Sequence, residues 1–184
     1  MIAACGKDTT GPLPGVARAD LLAVAMFDSA PPFSHNFVSF KKNQLTTFQV
    51  KHSDSTQTVL ATFTFAPFSI VSRNDTVLAD TSTIIVTIDF TPGDYEFTVG
   101  PAGLGFNVSS EPTVEVSYGR YGDLSVYTQS ARYASAQQFS AAAELWRERT
   151  TDHWVMGRNS AHTGLTTVAS ALESPGHYLL AAPK

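Results

Sequence analysis

One cysteine, Cys5, is all that this chain of 184 residues holds, so no disulfide within the chain can staple its fold. Charge is almost as scarce, at 15% of residues against the usual quarter. Lys and Arg total 12 and Asp and Glu 16, a net charge of -4. That balance argues against nucleic acid or an anionic membrane surface as the main partner, because both demand concentrated Lys and Arg. Long apolar runs are missing too. The best, "LLAVAMF" at 21–27, has the length of a strand and falls far short of the roughly 18 residues of a membrane helix. What the chain does have is 43% hydrophobic and 11% aromatic residues, enough for one domain with a real core. Low charge with abundant Ser and Thr suits an extracytoplasmic β protein, or a surface largely covered by something else.

Catalytic signatures are likewise sparse. The histidines His35, His52, His153, His162 and His177 fall in separate segments with no H-E-x-x-H or Cys/His spacing, so neither a metal site nor a cofactor is expected. His153 beside Asp152 and Trp154 reads as a strand-end residue after a turn, since neighbours on a strand point to opposite faces. Gly103 to Gly105 lacks the third glycine of a dinucleotide fingerprint and reads as a tight corner. Asp75, Asp80 and Asp89 lack a D-x-D-x-D arrangement and read as turn caps. There is no G-x-S-x-G elbow. Asn74 and Asn107 sit in N-x-[ST] sequons.

Ile2-Ala3-Ala4-Cys5 resembles the small-residue box at which bacterial lipoproteins are processed and lipidated on cysteine, and Gly6 opens a Gly/Thr/Pro stretch like a tether. The resemblance implies lipidation of Cys5 and attachment to a membrane at a periplasmic or cell-surface face. The cationic start and apolar run of a signal peptide are missing, so on this reading Met1 is an internal start. The other reading is a lone small cysteine near the chain end. Residues 1–17 are thus read as a lipobox-like start and tether, and 18–184 as one domain.

Beyond the tether the pattern is β. Runs at 20–27 and 36–42 are separated by Pro31-Pro32. Residues 45–51 and 58–65 alternate apolar and polar around a polar turn, and "FSIVSRNDTVLA" repeats the arrangement with Asn74-Asp75 at its tip. The stretch 83–90 is β-branched almost throughout and reads as a central strand. Short strands with turn signals between them predict an all-β, immunoglobulin-like antiparallel β-sandwich with an extended N-terminal tail. Trp154, Tyr118 and Tyr178 are expected between its two sheets.

The second half carries a more specific pattern. Gly100, Pro101, Gly103, Leu104, Phe106, Pro112, Val114, Val116 and Tyr118, then Trp154, Thr167, Val168, Leu172, His177 and Tyr178, follow one another through turns and strands. Over residues 82–182 this resembles the β-sandwich domain shared by netrin receptors, ankyrins and tight-junction scaffold proteins, and by some bacterial surface proteins. The chain departs from that pattern in lacking Phe-Ser between His177 and Tyr178, and in an insertion at about 119–141. The resemblance implies a non-catalytic interaction module.

The insertion region, "YGRYGDLSVYTQSARYASAQQFSAAA", is rich in Tyr, Ser, Gly and Ala, the composition of recognition loops. Tyr118, Arg120, Tyr121, Tyr127, Arg132 and Tyr133 are the candidate partner-binding residues. The alternative is a long loop, with a short helix at 131–143, whose tyrosines pack on the sandwich. The favoured function is a non-enzymatic accessory subunit of a membrane-associated assembly, contacting other protein subunits; a photosynthetic or respiratory complex and an outer-membrane machine are both open. The alternative is a surface module for carbohydrate or adhesion, requiring a row of exposed aromatics drawn from Phe63, Phe65, Trp146 and Trp154. A hydrolase with a scattered active site is the third reading.

Overall fold

The computed structural model describes residues 15–33 and 36–184, with the side chain of Asn36 excepted. Cys5 and all of the 6–15 stretch but Gly15 therefore lie outside the described residues, as does His35. The rest is an all-β sandwich of antiparallel sheets. The larger sheet runs His153–Met156, Glu144–Thr150, Gly176–Pro183, Glu96–Gly100, Thr83–Phe90, Asn36–Lys41, with Leu21–Ala23 also paired to Gly176–Pro183. The facing sheet runs Ala161–Gly164, Thr167–Ala171, Thr113–Ser117, Val59–Phe65, Thr46–Lys51.

Alternation decides which side chains enter the space between these sheets. In Thr83–Phe90, Ile84, Val86, Ile88 and Phe90 are buried while Thr83, Ile85 and Asp89 face water. The strand is interior but one place from the edge, between Glu96–Gly100 and Asn36–Lys41. Across the gap Phe63 meets Phe97 edge to face at 5.5 Å and Phe40 meets Phe65 at 4.9 Å, while within the larger sheet Tyr178 stacks on its cross-strand neighbour Phe97 at 5.4 Å. Such pairs add to plain area burial. The Asn74-Asp75 tip has φ of 47° and 60°, the left-handed pair that a tight hairpin requires. Gly103 (φ +87°) makes the expected corner, where a Cβ would strike Asn74 Oδ1 at 2.1 Å.

The structure corrects the place of Trp154. It is buried, but on the outer face of the larger sheet, in a second cluster with Leu21, Trp146, Leu179 and Ala181. Tyr118 and Tyr178 do lie in the main core. Parity is the reason: Leu145 faces inward, so Trp146 faces out, and cross-strand pairing sets Trp154 on that outer side too. Residues 15–20 form an arm against this cluster. Val16 and Trp154 exchange two backbone hydrogen bonds of 2.8 Å, and the Arg18 amide donates to Asp152 Oδ1 at 2.8 Å. The Lys184 amide donates to Asp20 O, tying the arm to the last strand.

Candidate functional site

The insertion is folded rather than a plain loop. Gly122–Asp123 pairs with Ala25–Met26, a 3-10 helix spans Leu124–Gln129, and an α-helix spans Ala136–Ala142. Each helix has a side-chain cap: Asp123 accepts from the Ser125 amide at 2.9 Å and Ser135 from the Gln138 amide at 3.2 Å. Gln138 Oε1 reaches back to the Ala134 amide at 2.9 Å, one residue before its cap. The S-x-x-Q spacing at 135–138 is a capping-box pattern that places this helix start in the sequence itself.

Two of the six candidate residues are corrected by their burial. Tyr118 is 1% exposed; its ring meets Tyr95 at 6.2 Å and its hydroxyl lies 3.0 Å from Ser140 Oγ. Tyr133 is 8% exposed, meets Phe139 edge to face at 5.5 Å, and donates its hydroxyl to Pro183 O. Both close the end of the core, which leaves no face for a partner. Burial raises the pKa of both phenols. Tyr127 is half-buried against the main core.

Arg120, Tyr121 and Arg132 reach the surface. The Tyr121 hydroxyl donates to Asp54 Oδ2 at 2.9 Å and its ring lies 4.5 Å from buried His52. Arg120 sits 5.6 Å over the Tyr121 ring, with Nε 3.8 Å from Asp54 Oδ2. Asp54 is the hub. It accepts the Thr58 hydroxyl and, at 2.7 Å, the Thr58 amide, together with the Thr56 hydroxyl at 2.8 Å. These donors, the Thr58 hydroxyl first, hold its carboxyl well below the usual carboxylate range against the opposing effect of burial. Arg132 is exposed, 6.0 Å from the Tyr133 ring.

Beside the helix a cleft of about 660 Å³ is lined by Leu124, Gln137, Ser140 and Ala141 and by His162, Gly164, Leu165 and Thr166 of the neighbouring hairpin. Leu165 on its wall is 92% exposed. Neither this cleft nor Leu165 was picked out in the sequence; an apolar residue after Gly164 in an otherwise polar turn was the available signal.

The four aromatics considered for carbohydrate stacking do not form an exposed row. Phe63 and Phe65 are fully buried in the main core, and Trp146 and Trp154 are buried in the outer cluster. Among the described residues no group of three His, Cys, Asp or Glu is placed to hold a metal ion. A further cluster that the sequence reading passed over lies at the side of the sandwich. Arg158 Nη1 is 2.9 Å from Glu111 Oε1, and Glu173 Oε2 lies 3.5 Å from Arg158 Nη2 and 4.0 Å from Arg147 Nη2. Burial raises the Glu111 pKa, opposed by the Arg158 charge.

No family model, no curated protein and no solved structure matches this chain.

Proposed function

We propose that the protein is a non-enzymatic accessory subunit at the extracytoplasmic side of a membrane-associated assembly, held to the membrane by lipid on Cys5 and to other protein subunits through its insertion. The observation that carries the reading is the combination at one end of the sandwich. Capped helices and the Asp54 hub fix a frame, and on that frame stand exposed Arg120 and Arg132, an apolar cleft, and Leu165 with nearly its whole side chain in water. Exposed apolar groups beside a groove mark interaction surfaces, and arginine at a rigid aromatic is a frequent anchor. Tyr121 stays in the contact set, and Tyr118 and Tyr133 leave it. The resemblance to the netrin-receptor and ankyrin domain is a second support, because it implies an interaction module.

Co-purification in mild detergent, read by mass spectrometry, tests the partner half. The wild-type chain is expected to bring down a defined set of subunits, and Leu165→Asp with Arg120→Glu to lose them. Equal recovery with both variants would sink the insertion as the interface. Labelling with a fatty-acid analogue tests the anchor separately: Cys5→Ser should lose the label and enter the soluble fraction, and an unlabelled wild type that still sediments with membranes would remove the lipid from the reading.

A further inference from the structure

The strand Glu144–Thr150 reads E-L-W-R-E-R-T, and its parity places Arg147 on the side of Leu145, which belongs to the main core, while Arg149 sits at the bulge between Glu148 and Thr150 and lines the same cleft. An arginine thus stands where the pattern of a sandwich calls for an apolar residue. The consequence is a cleft of about 530 Å³, lined by Arg147, Arg149, Arg158 and Glu173, with Val155 and Met156 as its apolar part. Three guanidiniums meet Glu173 in the lining and Glu111 at 2.9 Å from Arg158 Nη1, so two carboxylates leave one guanidinium, that of Arg149, in excess in a chain whose net charge is -4.

Their hydrogen-bonding capacity is not used up. Arg147 donates Nη1 to Ser174 Oγ at 2.6 Å, but its Nε is buried with no partner. The Arg149 side chain has no ion-pair or hydrogen-bond partner among the described residues and is exposed. Glu173 sits between Arg147 and Arg158 at 4.0 and 3.5 Å, too far for the tight bidentate geometry of a matched pair. A ligand carboxylate would duplicate what Glu173 already supplies. A phosphate monoester brings nearly two charges and three acceptor oxygens, which suits several guanidinium forks at once.

We infer that this cleft binds a phosphate monoester whose organic part rests on Val155, carried either by a soluble molecule or by a lipid headgroup. The site is separate from the insertion. Calorimetric titration of the full chain with phenyl phosphate, and flotation with phosphatidylcholine vesicles with and without phosphatidic acid, distinguish the two sources. Saturable binding to phenyl phosphate assigns a soluble ligand; flotation that requires phosphatidic acid, without phenyl phosphate binding, assigns a headgroup. In either case Arg149→Ala should weaken binding by about tenfold or more while leaving thermal unfolding unchanged, and Arg158→Lys should weaken it although the charge is kept. Binding to neither probe, or equal binding by Arg149→Ala, overturns the inference.

Discussion

The two apolar clusters on either face of the larger sheet are built on different plans. The main core lies between two sheets and is closed by aromatic pairs, with the phenols of Tyr95, Tyr118 and Tyr178 buried in it. The outer cluster has two tryptophans and no phenol, and what lies against it is the arm of residues 15–20. A sheet brings many strands to its task, whereas an arm brings one bridge at Val16 and a few bonds around Arg18. Equal burial therefore does not mean equal security: Trp154 is 4% exposed and Phe97 0%, yet the first depends on a single stretch of chain.

The largest expected effect tests the plan directly. Phe97→Ala should cost about 4 kcal/mol and Trp154→Ala about 3 kcal/mol, because the arm can settle into the space left by an indole more easily than two sheets can approach. Denaturant unfolding of each variant measures this, and a Trp154→Ala loss exceeding that of Phe97→Ala would reverse the ranking. A double-mutant cycle sharpens it further. Trp154→Ala with Leu21→Ala should couple by more than about 0.5 kcal/mol, while Trp154→Ala with Phe97→Ala should add within about that amount.

Alkali should separate the clusters next. Burial pushes the Tyr178 phenol up to about 12 and raises that of Tyr95 as well. A pKa higher in the folded state than the ordinary value near 10 adds stability that is whole below about pH 10 and drains away as pH rises towards 12. Tyr178→Phe should flatten this alkaline loss in melting curves taken across that range, and Trp154→Ala should leave its slope unchanged. Tyr133→Phe removes the hydrogen bond to Pro183 O and should cost about 1 kcal/mol, a smaller effect because the ring still packs on Phe139.

The smallest effect expected belongs to Asp54 and appears in acid. Its lowered pKa contributes stability present above about pH 4 and lost as pH falls further, so Asp54→Asn should melt lower at pH 7 and show a shallower acid decline. A parallel pair of acid limbs would remove Asp54 as the hub.

Much of the sandwich was legible because strand chemistry is local. The β-branched run at 83–90, the Asn74-Asp75 tip and the Gly103 corner each carry their own geometry. The face taken by Trp154 was not legible, since alternation separates two faces without saying what covers the second. Tyr118 was legible as a core residue and Tyr133 was not. A tyrosine-rich stretch reads as recognition by composition, and only the register that brings Pro183 to the Tyr133 hydroxyl turns that residue into a closing one. Arg147 was readable in principle. Its parity with Leu145 was in the string, but an arginine on the core side of a strand stands out only once the strand has been phased.

The Val16 bridge has a mechanical meaning. Tension transmitted along the chain from its N-terminal side enters the described fold at Gly15, whose backbone lies so close to His153 that a Cβ would strike the ring at 2.1 Å. Among the described residues the first contacts to carry that pull are the two hydrogen bonds between Val16 and Trp154, followed by the amide of Arg18. Peeling them one after another demands far less force than shearing the ladder between Gly176–Pro183 and its neighbours. Under tension the arm would yield first and uncover the Trp154 indole while the sandwich stayed whole, a fuse whose opening tryptophan fluorescence would report.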